Sequence, residues 1–406
     1  MSRQDGLSEW TAELSNRMAH LTKPQAVVLA MWSYGIVLAQ SCGRHTVALF
    51  LALLLGQKQG TIEQRLREWC YDAEDKCGPK RQALDVSSCF VPLLSWIVSL
   101  WTGTSIALAV DATSLGERFV VLTVSVVYRG TGIPVAWTML VGQKKGAWRG
   151  HWLWMLRQLR PAIPADWMVL VLTDRGLYAP WLFRRIVRLG WHPFLRINQG
   201  AKFRPAGQAH WYWLRELVNH EGERWRGQGN AFSSPQCRLP CTLLAWWGEG
   251  HEEPWFILTD LLAQDCDAAW YGLRTWCEQG FKCNKRGGWQ WQQTRMTDPA
   301  RASRLWLALA VASLWMVTLG SELENGPTDE YPDLPDLRSL LVFPLQTGQR
   351  RQTRLFRLGR LWLLVRLITA YSLPLPRQLV PEPWPDVPEE GSVFLNHQQS
   401  LSHAAA

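Results

Sequence analysis

The spacing of apolar residues predicts a helical region at the start of the chain. Over residues 22–69 apolar side chains recur at the helical period, and a polar turn at 56–60 separates two of the helices. Thr61 and Gln64 have the spacing of a capping box, so the second of these helices is predicted to begin at Thr61. The pattern leaves two interpretations open, an ordinary helical hairpin with a solvated basic face or a DNA-binding helix-turn-helix.

Short runs of Val, Ile, Leu and aromatic residues predict β-strands in the middle of the chain. The predicted strands are at 106–110, 119–128, 133–141, 167–173 and 192–197. Short turns join the first three into an antiparallel meander, and helices are predicted at 148–160 and 178–189. This order of elements is that of a ribonuclease H-like α/β core, although other mixed sheets share it.

The alternation of strands and helices stops at residue 200. Residues 200–260 are rich in Gly, Pro and Trp and contain two predicted strands, at 241–247 and 255–259, which indicates a β-rich insertion. Helical periodicity then returns over 265–286 and 299–319. The middle of the chain is therefore expected to be an α/β fold interrupted by this insertion.

The end of the chain has a different composition. It is Pro-rich, with a basic helical stretch at 350–366 and a segment at 374–388 that is expected to be extended and loosely ordered. We therefore expect an N-terminal helical domain at 1–100, an α/β domain at 101–323 and a C-terminal region at 324–406.

Composition narrows the class of protein. A total of 43 Lys and Arg residues against 34 Asp and Glu residues gives a net charge of +9, which favours a polyanionic partner. The nine cysteines are an odd number in a long chain, which indicates free thiols in a reducing compartment such as the cytoplasm. Of the apolar stretches, 26–55 contains polar residues and 305–319 is shorter than the roughly 20 residues that span a bilayer, so no membrane-spanning segment is expected.

Two apolar strands are each predicted to end in a single carboxylate. Asp111 follows the strand at 106–110, and Asp174 follows the strand at 167–173. If these strands are neighbours in one sheet, both acids emerge at the same edge. Each acid alone could equally be a turn-capping residue.

A third acid lies in the predicted helix at 265–286. At about 100° per residue, Tyr271, Arg274, Glu278 and Lys285 fall within roughly 60° of one another on a helix. The stripe would present a hydroxyl, a guanidinium, a carboxylate and an ammonium together. The simpler interpretation is a solvated helix face with an Arg274–Glu278 pair at i,i+4.

These residues resemble a known signature. Tyr271, Arg274, Glu278 and Lys285 match without a gap the Y-(2)-R-(3)-E-(6)-K pattern of DDE transposases of the bacterial insertion-sequence-four type. The sequence Thr-Asp-Arg-Gly at 173–176 resembles the motif around their second catalytic Asp, and Asp-Ala-Thr at 111–113 occupies the place of the first. The resemblance covers about residues 104–319.

The resemblance implies a ribonuclease H-like fold and a DNA-cleaving and DNA-joining activity. Asp111, Asp174 and Glu278 would bind two Mg²⁺ ions, which Mn²⁺ could replace, and Tyr271, Arg274 and Lys285 would contact the DNA backbone. The N-terminal helices would bind the inverted repeats at the ends of the element. The protein would act on double-stranded DNA as a homodimer, in the bacterial cytoplasm at the nucleoid and without a membrane partner.

Some residues of similar type are given other roles. Asp260 also follows a predicted strand, but in the resemblance its place is not catalytic, so it is assigned to structure. Trp246, Trp247 and Trp255 are candidates for stacking on a flipped base. A zinc site is not expected: four cysteines could be proposed, but no His has matching spacing. These cysteines are Cys237, Cys241, Cys277 and Cys283.

Three other functions are considered. A ribonuclease H-like nuclease would hydrolyse DNA without joining ends, and the sequence does not separate this from a transposase. A catalytically inactive DNA-binding protein is disfavoured because acids are present at all three places. An integral membrane protein is disfavoured by the interrupted apolar stretches.

Overall fold

The computed structural model describes residues 5–78, 81–142, 146, 148–325, 354–368 and 373–385. These residues group into two compact units. The first unit lies within Met1–Trp167 and Thr275–Glu382, and the second lies within Met168–Arg274 and Pro383–Ala406. The domain limits expected from the sequence, near residues 100 and 323, remain predictions.

The first unit contains most of the helices of the protein. They are α1 (Asp5–Arg17), α2 (Lys23–Ala39), α3 (Arg44–Leu55), α4 (Gln59–Trp69), α5 (Phe90–Leu100), α6 (Arg149–Leu159), α9 (Thr275–Asn284), α10 (Pro299–Asn325) and α11 (Leu355–Ile368). The predicted helical start of the chain is thus confirmed, and α3 and α4 follow each other through the predicted polar turn.

The predicted capping box at Thr61 is wrong. Helix α4 already begins at Gln59, and its N-cap residue Lys58 makes no side-chain cap. The reason is that Gly56 ends α3 in the left-handed conformation, at φ 61°, and the short turn then enters the next helix directly. A capping box does occur at α2, where Thr22 accepts a hydrogen bond from the Gln25 backbone and the Gln25 side chain accepts one from the Thr22 backbone.

The sheet of the first unit is the predicted meander. Strands β1 (Ser105–Leu115), β2 (Phe119–Tyr128) and β3 (Thr131–Val141) are antiparallel in sequence order. Strand β1 is longer than predicted, because after Val110 its side chains alternate between more and less exposed positions and no longer form an apolar run. Pairing nevertheless continues as far as Leu115 opposite Phe119.

Helix α10 is the longest helix of the described residues and forms the centre of the first unit. The predicted limit on its length is wrong, since polar flanks extend the helix beyond the apolar part at 305–319 to 27 residues. Helix α10 is long and apolar enough to cross a membrane, and α2 with α3 would qualify only as a pair bent by 97°. The most apolar stretch of α10 is 94% buried inside the protein, which accounts for the high hydropathy of the helix.

The C-terminal part of the first unit is packed and hydrogen-bonded. Helix α11 lies directly against α10. The two helices are so close at Gly359 that a Cβ there would be 1.8 Å from the Met316 carbonyl oxygen. Arg366, expected on a basic face, is only 3% exposed. The segment after α11 is not loosely ordered where it is described: Leu379 bonds through its backbone to Leu100 and Thr102, at 2.7 and 2.9 Å.

Among its described residues, the second unit contains seven strands and two short α-helices. They are β4 (Met168–Thr173), α7 (Pro180–Arg188), β5 (His192–Arg196), β6 (Lys202–Pro205), β7 (Tyr212–Trp213), α8 (Leu214–Leu217), β8 (Arg224–Ala231), β9 (Leu239–Trp246) and β10 (Trp255–Thr259). The strand order in this unit is β4-β5-β10-β9-β8-β6-β7. Strands β4 and β5 are parallel, and the other pairs are antiparallel.

Residues 200–260 form more strands than the sequence predicted. The predicted strands at 241–247 and 255–259 correspond to β9 and β10, whereas β6, β7 and β8 were missed. Strand β8 contains three polar or charged residues and two glycines in its first six positions, so no apolar alternation marks it. Its partner β9 is mostly buried and supplies the apolar face of the pair.

Candidate active site

The first predicted acid, Asp111, lies within a strand and not at its end. It pairs in register with Thr123 of β2, and its Oδ1 accepts a hydrogen bond from the Ala112 backbone at 2.8 Å. Asp174, in contrast, directly follows β4 as predicted. Its Oδ1 accepts a hydrogen bond from the Gly176 backbone at 2.9 Å, which fixes the turn after the strand.

The predicted helix at 265–286 consists of two elements. Residues Ala268–Arg274 form a 3₁₀ helix in the second unit, and α9 (Thr275–Asn284) belongs to the first unit. Lys285 comes immediately after α9, although its backbone N–H still donates to the Phe281 carbonyl at 3.1 Å. The single helical stripe of four residues is therefore wrong, since a 3₁₀ turn advances about 120° per residue and not 100°.

Two glycines bring α9, which carries Glu278, into direct contact with β3. A Cβ on Gly280 would lie 2.3 Å from the carbonyl oxygen of Gly132, and a Cβ on Gly132 would lie 3.0 Å from the Cα of Cys277. Only residues without a side chain permit this distance between helix and strand. Gly280 weakens the helix in isolation, but here it fixes the position of the residue two places before it.

Glu278 and Lys285 line the same cleft in the first unit. The cleft has a volume of about 510 Å³ and is lined on one side by Ser114, from the strand that carries Asp111. Glu278 is exposed. Three cations line the cleft with it, namely Lys282, Lys285 and Arg286. An anionic ligand near the carboxylate would therefore meet compensating positive charge.

Lys285 is held against β1. Its Nζ donates hydrogen bonds to the Thr113 hydroxyl and to the Ser114 carbonyl oxygen, each at 2.8 Å. Burial lowers the pKa of Lys285, because the charged ammonium loses part of its hydration. An ammonium has three donors, so two hydrogen bonds to β1 leave one for a ligand.

In the second unit the structure brings Asp174, Arg274 and Tyr271 together. Arg274 Nη2 lies 3.6 Å from Asp174 Oδ2, and the side chain of Arg274 is 11% exposed. Tyr271 is 3% exposed, and burial raises its pKa to about 12. The phenol is therefore protonated at neutral pH, so it can donate a hydrogen bond but is no base.

Aromatic rings and ion pairs surround Tyr271. The ring centroid of Trp255 lies 5.1 Å from that of Tyr271, and the Arg196 guanidinium lies 5.9 Å from it. Glu253 accepts hydrogen bonds from Arg175 at 2.6 Å and from Arg196 at 2.8 Å. Neither Glu253 nor Arg196 is in a recognisable sequence motif, so only the structure reveals their place beside Tyr271.

The tryptophan candidates of the second unit are engaged with their neighbours. Trp246 lies edge-on to Trp255 at 5.4 Å, and His251 stacks on Trp255 at 4.5 Å. Trp247 Nε1 donates to the His251 carbonyl at 2.9 Å. All three tryptophans are partly exposed, so base stacking stays a prediction.

The remaining candidates are structural in appearance. Asp260 accepts from His192 Nδ1 at 3.1 Å, on an adjacent strand of the second unit. All nine cysteines are free, as expected from the sequence. Across the part of the chain that the structure describes, no group of three or more His, Cys, Asp or Glu side chains is arranged to hold a metal ion, which includes the four cysteines considered for zinc.

The acids themselves fit a divalent cation in chemistry but do not form a closed site. Carboxylate oxygens are the ligands that Mg²⁺ prefers, and Mg²⁺ is commonly held by one or two carboxylates together with substrate phosphates. An exposed Glu278 at an open cleft matches such a shared site. The described residues thus supply suitable donors, whereas a complete ligand set would need the substrate.

The described residues form a mixed α/β fold in which acidic and basic side chains lie close together. Residues 105–315 match the model of the transposase DDE domain, and the chain belongs to this family. No curated protein matches the sequence. Among solved structures, a cryo-EM structure of the piggyBac transposase synaptic complex with hairpin DNA is similar at a TM-score of 0.35 and 11% identity, over 96% of this chain and 86% of that chain.

Proposed function

We propose that the protein is a DNA transposase that binds the terminal inverted repeats of its insertion sequence and catalyses cut-and-paste transposition. The family match carries the proposal, because residues 105–315 include all three predicted acids. The signature Y-(2)-R-(3)-E-(6)-K further supports a member of the insertion-sequence-four type. The ribonuclease H-like topology is part of the same proposal.

Asp111, Asp174 and Glu278 would hold two divalent ions, Mg²⁺ or in its place Mn²⁺. Bound ions would activate the attacking water or 3′-hydroxyl and stabilise the leaving oxygen. The protein itself orients the carboxylates. Asp174 is oriented by the Gly176 backbone, and Glu278 is oriented by the contact between α9 and β3.

Lys285 would bind a phosphate of the DNA backbone at the cleft. Two hydrogen bonds to β1 restrain its side chain, so less conformational entropy is lost when the third donor meets a phosphate oxygen. The restrained ammonium would also fix the register of the DNA, since backbone contacts position a nucleic acid without reading its sequence.

Arg274 and Tyr271 would also contact DNA, although both side chains are largely buried. Arg274 is 9% and Tyr271 is 3% exposed, so each would contact DNA only through the small accessible part of its side chain. Arg274 also balances the charge of Asp174. Its loss would therefore affect the acid as well as the DNA.

The other parts of the proposal rest on the sequence. The N-terminal helices would recognise the ends of the element, and the protein would work as a homodimer on DNA in the bacterial cytoplasm, at the nucleoid. The basic residues of α11 are partly used in packing, which leaves the exposed Arg357, and the exposed Arg354 directly before the helix, to contact DNA or a second copy.

The test uses the full chain and DNA from the borders of its gene. Duplexes that carry the flanking inverted repeats are incubated with the protein and Mg²⁺, and the products are resolved for nicks at the element ends and for joining to a target plasmid. We expect both cleavage and joining. Cleavage without any joining would identify a nuclease, and binding without cleavage would identify an inactive DNA-binding protein.

A further inference from the structure

A second basic pocket lies in the first unit, away from the residues assigned to the DDE site. It has a volume of about 220 Å³ and is formed by the N-terminal helices and the segment that leads into α10. Its lining includes the buried Trp32 and Leu66. Four arginines line it as well, namely Arg44, Arg67, Arg295 and Arg301.

Two of these arginines lack an acidic partner in the described part of the chain. Arg44 pairs with Glu63 at 3.1 Å, and Arg301 pairs with Asp75 at 2.8 Å. Arg67 bonds only to the uncharged Gln64 side chain and contacts Tyr71, and Arg295 is exposed and unpaired. The pocket therefore carries uncompensated positive charge.

The acid that lines the pocket does not neutralise this charge fully. Asp298 is the N-terminal cap of α10, where its Oδ1 accepts a hydrogen bond from the Arg301 backbone at 2.8 Å. The carboxylates of Asp298, Glu63 and Asp75 stand against four guanidinium groups, so one positive charge is left after these ion pairs are counted. The N-terminus of α10 adds a further partial positive charge.

Buried donors at the pocket lack acceptors. The Nε atoms of Arg67 and Arg301 are both buried without a hydrogen-bond partner among the described residues. A buried donor without an acceptor is unfavourable, so native proteins usually satisfy it with protein, water or ligand. Both guanidinium groups also contact the Tyr71 ring, with Arg67 at 6.0 Å and Arg301 at 4.2 Å from its centroid.

We propose that this pocket binds a phosphate group. Guanidinium groups match phosphate oxygens in geometry and charge, and a volume of about 220 Å³ is large enough for a phosphate. If the proposed function is correct, the phosphate is one of the DNA backbone, and the pocket is a contact for DNA at the junction of the N-terminal helices with α10. The assignment of the phosphate to DNA rests on the proposed function, whereas the phosphate site itself does not.

The first experiment measures phosphate binding without DNA. The thermal unfolding midpoint of the full chain is followed as inorganic phosphate replaces chloride at constant ionic strength. We expect phosphate to raise the midpoint, and Arg67→Gln and Arg295→Gln each to weaken the apparent affinity about tenfold, since each removes one charge-assisted contact. Arg65→Gln is the matched control, because Arg65 is an exposed arginine of α4 that does not line the pocket.

Arg295 is exposed and has no ion-pair partner among the described residues, so Arg295→Gln should fold even if Arg67→Gln does not. An unchanged phosphate response in Arg295→Gln and in any folded Arg67→Gln protein would overturn the proposal. So would an equal loss in Arg65→Gln, because that would show a general charge effect.

The second experiment identifies the source of the phosphate. Binding of a duplex with the inverted repeat is titrated with salt for the wild type and the same variants. If the pocket holds a DNA phosphate, Arg295→Gln makes the slope of log K against log salt shallower by about 0.9. An unchanged slope together with a lost response to inorganic phosphate supports a site for free phosphate. Failure of the wild type to bind DNA would reject the proposed function and leave the phosphate site standing.

Discussion

The two units present their predicted site residues in different ways. In the first unit Glu278 is exposed at an open cleft, and Lys285 reaches the same cleft from a position held by two hydrogen bonds. In the second unit Arg274 and Tyr271 are buried, at 9% and 3% exposure, among aromatic rings and ion pairs. Both sets belong to one sequence signature, yet their surroundings differ.

This difference predicts which substitutions should affect the chemistry and which should affect the fold. An exposed side chain at a cleft contributes little to packing, so its loss should leave stability nearly unchanged. A buried arginine or tyrosine is part of the packed interior, so its loss should also destabilise the protein. The predictions below test this contrast.

The largest effect is expected for the acids. Asp111→Ala, Asp174→Ala and Glu278→Ala should each lower cleavage by on the order of 10³-fold or more, since loss of a ligand that organises charge costs about 4 kcal/mol in the transition state. Chelation of divalent ions should have the same effect on the wild type. DNA binding, measured by gel shift beside the nicking assay, should persist. Near-normal nicking by any one variant would remove that acid from the site.

The next effect concerns the contact that carries Glu278. Gly280→Ala should lower the free energy of unfolding by about 1–3 kcal/mol, because the new Cβ would lie 2.3 Å from the Gly132 carbonyl and force α9 away from β3. Cleavage should fall in parallel. Gly60→Ala in α4 is the control, since nothing lies within 4 Å of its Cβ position, and there alanine should be neutral or stabilising by up to about 1 kcal/mol. Equal behaviour of the two variants in denaturant unfolding would contradict the close packing.

Lys285 and Arg274 offer a direct comparison of the two units. Lys285→Ala and Arg274→Ala should each make the slope of log K for DNA against log salt shallower by about 0.9 if each loses one phosphate contact. Arg274→Ala should also destabilise the fold, because its guanidinium is buried beside Asp174. Salt titration and urea unfolding of both proteins measure the two effects.

Thr113→Val separates the charge of Lys285 from its position. This change removes one hydrogen-bond acceptor of the Lys285 ammonium but keeps its charge. The slope of log K for DNA against log salt should therefore be unchanged, while the affinity for DNA falls. An unchanged slope in Lys285→Ala itself would mean that the cleft is not the DNA surface.

A smaller effect is expected for the Tyr271 hydroxyl. Tyr271→Phe keeps the ring against Trp255 and should weaken DNA binding by about 2- to 10-fold, the value of one hydrogen bond of 0.5–1.5 kcal/mol. Stability should change little, in contrast to Tyr271→Ala, which would leave a cavity. Wild-type affinity in Tyr271→Phe would show that the tyrosine acts by packing alone.

The smallest effect is expected for Asp260. Asp260→Asn keeps a side chain of the same shape that can still accept a hydrogen bond from His192, so cleavage should remain within about twofold of wild type. The comparison is with Asp174→Asn in the same assay, which should be inactive. If Asp260→Asn is inactive and well folded, the choice between the two acids of the second unit was wrong.

Local patterns predicted the elements well where apolar residues mark them. Strand β2 (Phe119–Tyr128) and strand β10 (Trp255–Thr259) have the predicted bounds, since their buried runs end in polar turns. The patterns failed where pairing and not hydrophobicity forms a strand, as in β8, and where a strand continues past its apolar run, as at Asp111. Periodicity also missed the change from a 3₁₀ helix to α9 within one helical segment.

The family, the candidate acids and the basic charge follow from the amino-acid sequence alone, because they depend on residue types and their spacing. The exposure of Glu278, the burial of Arg274 and Tyr271, and the hydrogen bond from Lys285 to Thr113 depend on the folded structure. The folded structure also decided that Arg67 and Arg295 share a pocket, although they are far apart in the chain. The physical reason is that burial and charge pairing depend on residues distant in sequence, whereas residue type and spacing are local properties of the chain.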